Sequence, residues 1–371
     1  MGNFHVELKK VVDDSYNIET GCDLWDMLKA DLESGILAKS KKIALITDST
    51  VMELYGKCAE EAIKKAGLDV NTYVFPAGEK SKTRATKEML EDAMLADGLK
   101  RDCGVVALGG GVVTDLAGFL AGTYCRGVPY ISYATTVLAA ADAAVGGKTA
   151  VDTPLATNLI GLFYQPKKVY IDVATWKTLP ARQVSSGLAE TIKHGCLGDK
   201  ELFEYLEANM EKIRALDPDA CKYISEANVK VKYNVVMNDE REESGYREVL
   251  NLGHTVGRAA ETLSNYTLTH GEAVSIGLMA QAYLAEKMGF MNNTEIKRLE
   301  DLLLGAGLPV RLPCSISRDE LLEKLYTDKK VRSGDLRFVL QKGIGNVATF
   351  EGGSYALKVS KQQAAEILKL I

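Results

Sequence analysis

Short apolar runs rich in β-branched residues alternate with longer amphipathic stretches through the first half of the chain. Ile43 to Ile46 predicts a strand followed by a helix to Ala66, and Val70 to Phe75 a second strand followed by a helix to Leu99. The rhythm continues through Gly104 to Leu108, a glycine-rich turn, a helix from Asp115, then Tyr130 to Tyr133 and Lys168 to Asp172. Such βαβ alternation predicts a parallel sheet covered by helices. Past Leu179-Pro180 the period lengthens. Residues 184–197, 200–216, 221–238, 253–264, 271–288 and 293–304 read as amphipathic helices, with few strand-like runs between them. The chain is therefore predicted to be α/β, with a parallel-sheet domain over residues 1–180 and a mainly α-helical domain over 181–371.

Composition narrows the class. A length of 371 residues suits two domains, and 46% hydrophobic with 26% charged residues is an ordinary soluble balance. The net charge is −5 and the 45 basic residues are scattered, so no basic stripe points to nucleic acid or an anionic membrane. Seven dispersed cysteines with no Cys-x-x-Cys pair suggest reduced thiols and a cytoplasmic setting. An apolar signal core is missing from the N-terminus and no apolar run is long enough to span a bilayer, so neither export nor membrane insertion is expected.

Candidate chemistry begins with scarcity. Of four histidines, His254 and His270 sit in Gly-His-Thr and His-Gly-Glu tripeptides. Imidazoles beside glycines, which let another group approach closely, suit a metal or proton handling near neutral pH. Glu190, on one helical face with Lys193, can complete a set of two imidazoles and a carboxylate that leaves coordination open, as catalytic zinc requires. Cobalt, iron or manganese accept similar ligands, and His194, four residues from Glu190, competes as a ligand. Arg247 and Asn251 stand seven and three positions before His254, and Arg247 suits a carboxylate or phosphate.

Gly109-Gly110-Gly111-Val112-Val113-Thr114-Asp115 follows a predicted strand and opens a helix, where backbone N–H groups favour phosphate. The dinucleotide fingerprint has a third glycine where Thr114 stands, so a tight strand-to-helix turn is the competing reading. Asp48, at the end of the first strand, and Glu79 and Lys82, beyond the second, are expected along the same sheet edge. Gly146-Gly147-Lys148-Thr149 looks like the end of a triphosphate loop, but the upstream glycine that motif requires is missing, which excludes a nucleotide triphosphatase. Asp142, Lys148 and Asn158 remain as either a polar turn or a site for an oxygen-rich anion.

Taken in order, these segments resemble one family. Gly109–Phe119, Arg126-Gly127-Val128-Pro129, Thr135–Thr149, Asn158-Leu159-Ile160-Gly161, Gly187–Lys193, Arg247–Thr255 and His270–Val274 follow the pattern of 3-dehydroquinate synthase over roughly residues 40–345. The resemblance implies a Rossmann-like N-terminal domain, a helical C-terminal domain, NAD and a divalent metal, zinc or alternatively cobalt, and a homodimer. It implies Glu190, His254 and His270 as metal ligands and Asp142, Lys148, Lys193, Lys232, Arg247 and Asn251 as substrate contacts. Arg126 would reach the neighbouring subunit's site, Asn158 and Lys329 or Lys330 would bind phosphate, and Glu243 or Glu242 would supply a family acid. Asp48, Glu79, Lys82, Gly110, Gly111, Val112, Asp115, Thr135, Thr136 and Thr175 would hold NAD. The implied reaction converts 3-deoxy-D-arabino-heptulosonate 7-phosphate to 3-dehydroquinate and phosphate, a shikimate-pathway step. An alcohol is transiently oxidised, phosphate leaves, the ketone is reduced again, and the opened ring closes by an intramolecular aldol.

The chain departs from the family pattern at four positions. Arg258 stands where a histidine is usual, Thr157 replaces a lysine, Thr114 replaces a glycine and Gln183 an acid. Arg258 grips phosphate bidentately but cannot shuttle a proton near neutral pH, so it is read as a phosphate contact compensating for the lost lysine. Thr157 and Arg258 keep open a related cyclase of the inosose- or valiolone-forming type. A metal-dependent alcohol dehydrogenase of the glycerol-dehydrogenase type is the third reading.

Overall fold

In the computed structural model, which describes residues 4–8, 11–37, 40–327 and 336–371, the first half contributes eight strands. These are β1 (Asn17–Gly21), β2 (Lys42–Asp48), β3 (Asp69–Phe75), β4 (Cys103–Gly109), β5 (Tyr130–Ala134), β6 (Lys148–Thr153), β7 (Ala156–Phe163) and β8 (Lys168–Asp172). Six of them form one parallel sheet in the order β1-β8-β5-β4-β2-β3. The central strands β4, β5 and β8 are buried along their whole length, as expected of parallel strands covered on both faces. Helices fill one face against Ala44, Ile46, Val105 and Ala107 and the other against Ile43, Leu45, Val106 and Leu108, the alternation that a strand period of two demands.

From Ala181 the chain is mainly helical, and the helices begin and end within a few residues of the predicted segments. The α/β architecture and its parallel sheet agree with expectation. The largest core runs without interruption from Ala134, Val169 and Ile171 on the sheet into Leu188, Ile192, Phe203 and Leu278 of the helices. The change at residue 180 is therefore a change of element type across continuous packing. Among the described residues, no helix is long and apolar enough to cross a membrane.

Several elements escaped prediction, the helices Trp25–Glu33, Arg318–Thr327 and Lys361–Leu368 among them. β1 is a short polar stretch that pairs in parallel with β8, and an edge strand needs too little burial to show an apolar pattern. β6 and β7 form an antiparallel hairpin where the sequence suggested a turn, and much of β7 is exposed, so inward apolar alternation is weak. A two-stranded ladder joins Leu336–Val339 to Ala356–Val359 within the helical half. The helix after the glycine turn also begins earlier than predicted, at Gly111.

Candidate active site

Three helices bring Glu190, His254 and His270 together. Glu190 lies within Ala181–Leu197, a helix buried on all sides from Val184 onward. His254 and His270 each open a helix, His254–Leu263 and His270–Lys287. Thr269 and Glu272 make a reciprocal capping box that starts the second of these, so the Glu of His-Gly-Glu is a cap, further held by Arg182. The flanking glycines permit backbone contact. A Cβ on Gly271 would lie 2.0 Å from the Ser186 carbonyl oxygen, and one on Gly277 would lie 1.8 Å from that of Gly253. No larger residue fits at either crossing.

The side chains converge on one oxygen. Glu190 Oε1 is 3.5 Å from His254 Nε2 and 3.2 Å from His270 Nε2, and one potential ligand atom from each residue lies within 4.8 Å of the others. His254 Nδ1 sits 3.1 Å from the Leu252 carbonyl, which can only accept, so Nδ1 carries the proton and Nε2 offers its lone pair. His270 Nδ1 meets the Glu261 carboxylate at 3.3 Å. Burial favours the neutral form of His270, yet hydrogen bonds to Glu190 and Glu261 push it up to about 10. Burial and the Lys193 cation keep His254 neutral. Burial would raise the Glu190 carboxyl, but Lys193 and His254 hold it below the usual carboxylate range. Two imidazoles and one carboxylate that close on one another form a donor set that fits zinc or cobalt. His194 lies outside the group. Its Nδ1 pairs with Asn228 at 2.8 Å, and burial followed by Lys193 lowers it to about 4.

A chain of charges continues from there, buried at Lys193 and Lys232 and partly exposed at Lys148. Lys193 touches Glu190 and donates to the Leu250 carbonyl at 3.1 Å. Lys232 contacts both the carboxylate and the carbonyl of Asp142, which lies in a π-helical turn at Ala139–Ala143. Burial opposes ionisation of Asp142, but Lys232 and Lys193 hold it well below the usual range. Lys148 reaches Glu242, and Arg247 donates to the Glu240 and Gly146 carbonyls. Glu242, rather than Glu243, is thus the acid at Lys148; Glu243 is exposed and its backbone N–H bonds Asp239. Burial, then Arg247, lowers the Lys148 ammonium.

The sheet edge adjoins this cluster, because a Cβ on Gly111 would stand 3.3 Å from Ala143, the neighbour of Asp142. No side chain caps the helix opening at Gly111, which leaves its first N–H groups for a ligand. Thr114, in the fingerprint's third glycine position, bonds back to the Gly111 carbonyl at 3.0 Å. Asp48 accepts the Thr50 and Val51 N–H groups, both at 2.9 Å, Thr136 accepts from Ala139 at 3.1 Å, and Thr175 donates to the Asp172 and Thr135 carbonyls. Val112 is half-buried beside the turn. Lys82 bonds Asp115 at 2.5 Å and lies 3.7 Å from Glu79.

Several predicted residues stand elsewhere. Asn158 accepts from Lys82 at 2.6 Å, which ties it to the Asp115 pair instead of to Lys148. The hairpin carries it there, since Asp152 bonds the Lys82 carbonyl and the Asn158 N–H. Arg126 is exposed in a left-handed turn. Arg258 follows His254 by one helical turn and bears on it electrostatically. Lys329 and Lys330 lie outside the described residues. Sequence reasoning missed Glu261, seven positions after His254 on the same helical face, and Gln281, whose side-chain oxygen accepts the Gly253 N–H.

Two family models match the chain: 3-dehydroquinate synthase N-terminal over residues 72–186 and 3-dehydroquinate synthase C-terminal over 187–331. The 3-dehydroquinate synthase of Desulforamulus reducens is 43% identical over 352 residues, covering 95% of this chain and 96% of that protein. Among solved structures, 2-epi-5-epi-valiolone synthase from Streptomyces hygroscopicus subsp. jinggangensis, with NAD+ and Zn2+ bound, superposes with a TM-score of 0.87 at 28% identity over 99% of both chains. A 2-deoxy-scyllo-inosose synthase complexed with carbaglucose-6-phosphate, NAD+ and Co2+ gives 0.85 at 27% identity over 95% of this chain and 96% of that one.

Proposed function

The chain belongs to the 3-dehydroquinate synthase family, and we propose that its cleft converts 3-deoxy-D-arabino-heptulosonate 7-phosphate to 3-dehydroquinate and phosphate. The observation that carries this reading is an unbroken run of contacts through the site. The uncapped glycine turn, the Asp142–Lys232 pair, the Lys193–Glu190 pair and the two imidazoles follow one another without a break. When bound, NAD supplies a hydride acceptor that is restored each turnover, and a zinc or cobalt ion on Glu190, His254 and His270 supplies a Lewis acid.

The chain's own groups do the rest. Lys148 and Arg247 bind the substrate's anionic groups, and the partly exposed Lys148 can exchange Glu242 for them. Asp142 stays ionised and holds Lys232 as a donor toward substrate oxygens, and Asn251, at the end of the turn that carries Arg247, is a further substrate contact. Arg258 supplies a permanent cation for the departing phosphate, and the buried setting strengthens each of these interactions. Asn158 and one of Lys329 or Lys330 are the remaining phosphate contacts in this reading. Residues 1–180 carry the NAD contacts, namely Asp48, Glu79, Lys82, Gly110, Gly111, Val112, Asp115, Thr135, Thr136 and Thr175. Residues 181–371 carry the metal ligands and most substrate contacts. The reading includes a homodimer in which exposed Arg126 reaches the neighbouring site, and a cytoplasmic setting that suits seven free thiols.

Incubation of the protein with the heptulosonate phosphate, NAD and zinc or cobalt tests the assignment. Equal release of phosphate and 3-dehydroquinate is expected, with no net NADH. Phosphate without the carbocycle, or accumulating NADH, overturns it. The same assay with sugar phosphates that lead to inosose or valiolone products tests the sister activities.

A further inference from the structure

The loop that carries Lys148 is fastened by a residue from outside the segments that the family models match. Tyr16 stands immediately before β1, and its hydroxyl accepts the Gly146 N–H at 2.9 Å. The carbonyl of Gly146 accepts from Arg247 Nη2, also at 2.9 Å. Gly146 is therefore held at both its amide and its carbonyl. Its φ is +97°, and a Cβ there would lie 2.6 Å from Arg247 Nη2, so the loop is closed directly against the guanidinium. Arg247 also donates to the Glu240 carbonyl, the Glu240 carboxylate accepts Gln165 Nε2 at 2.8 Å, and Gln165 packs against Gly147. Arg247 Nε keeps a buried N–H without a partner among the described residues, which leaves donor capacity for an anion.

We propose that Tyr16 is a positioning residue for substrate binding: by holding the Gly146 amide it sets the Gly146–Lys148 loop, and with it the places of the Lys148 and Arg247 cations. The identity of the anion rests on the functional reading above, whereas the restraint on the loop stands apart from it. Burial keeps the Tyr16 phenol above its usual range, so the hydroxyl remains a neutral acceptor at working pH. Without that oxygen the Gly146 N–H is left unpaired, and the peptide can rotate away from Arg247. A small tilt there is amplified at the end of the Lys148 side chain.

Tyr16→Phe removes the oxygen and keeps the ring. In the protein loaded with NAD and zinc, amide exchange over residues 144–149 is expected to rise about tenfold, the order of effect of one buried hydrogen bond left unmade. In turnover, KM for the heptulosonate phosphate is expected to rise about tenfold while kcat stays within about twofold, because ground-state positioning is what is lost. Combined with Arg247→Lys, the loss in kcat/KM should fall short of the product of the single losses, since both act through Gly146. Unchanged exchange, or a lower melting temperature with KM and exchange intact, makes Tyr16 a mere brace and overturns the proposal. If the wild type turns over no substrate, the functional reading fails and the exchange measurement still decides for the loop. Should the variant not fold, fast exchange at Gly146 in the wild type overturns the proposal and strong protection there supports it.

Discussion

The two ends of the cleft are built on opposite physical plans. At the sheet edge the groups expected to meet NAD, the charges of Glu79, Lys82 and Asp115 apart, are backbone N–H groups and short side chains held by their own turns: Asp48 caps, Thr136 accepts and Thr175 donates locally. At the helical end the groups are ionised, buried and set in opposite-charge pairs, as in Glu190 with Lys193 and Asp142 with Lys232. A site made of turns survives the loss of one side chain, because the backbone that forms it persists. A site made of paired charges does not, because removal of one partner leaves the other charge buried without compensation.

The strongest way to break this comparison is Glu190→Gln. The variant leaves Lys193, which is fully buried, without its carboxylate, and removes the anionic member of the metal group. Metal affinity, read by chelator competition, is expected to fall by more than about a hundredfold, beyond the loss typical of a supporting residue. The apoprotein is expected to lose on the order of 3–5 kcal/mol in denaturant unfolding. An apoprotein as stable as the wild type would show that the charge chain is not self-supporting, and the contrast between the two ends would go with it.

Legibility in sequence follows the same division. The residues at 190, 254 and 270 were readable because two of them adjoin glycines, and the structure uses Gly253 and Gly271 for the close crossings that bring the three together. The parallel sheet was readable because central strands bury both faces. β1 and the β6–β7 hairpin were not, because an edge strand and an exposed ribbon carry no strong periodicity. Tyr16, Glu261 and Gln281 act through contacts with residues 130, 9 and 28 positions away, and nothing in their local sequence marks them. The bond between Asn158 and Lys82 is hidden for the same reason, since only the folded hairpin brings the two together.

Glu261→Gln refines the contrast within the helical end. His254 is oriented by a backbone carbonyl, which mutation cannot remove, whereas His270 depends on the Glu261 carboxylate. Zinc affinity is expected to fall about 10- to 100-fold, with the cobalt form showing a changed absorption spectrum. Arg258→Ala ranks next. Loss of one charged hydrogen-bond donor is expected to raise KM for the phosphorylated substrate about tenfold, and an unaltered KM and kcat would dismiss its role as a phosphate contact.

Asp48→Asn produces the smallest effect and separates two roles at the sheet edge. The Asp48 oxygen caps the turn after β2, and asparagine caps about as well as aspartate, so melting temperature should stay within roughly a degree or two of the wild type. What disappears is the charge. If a carboxylate oxygen also meets the NAD ribose, the dissociation constant for NAD should rise about three- to tenfold, the order of the difference between a hydrogen bond to a charged acceptor and one to a neutral acceptor. Asp48→Ala, by comparison, removes the cap as well and should cost about 1 kcal/mol of stability. If Asp48→Asn leaves NAD affinity untouched while Asp48→Ala weakens it, the residue serves the cofactor only by shaping the turn, and the end of β2 meets the cofactor through backbone even at this acidic position.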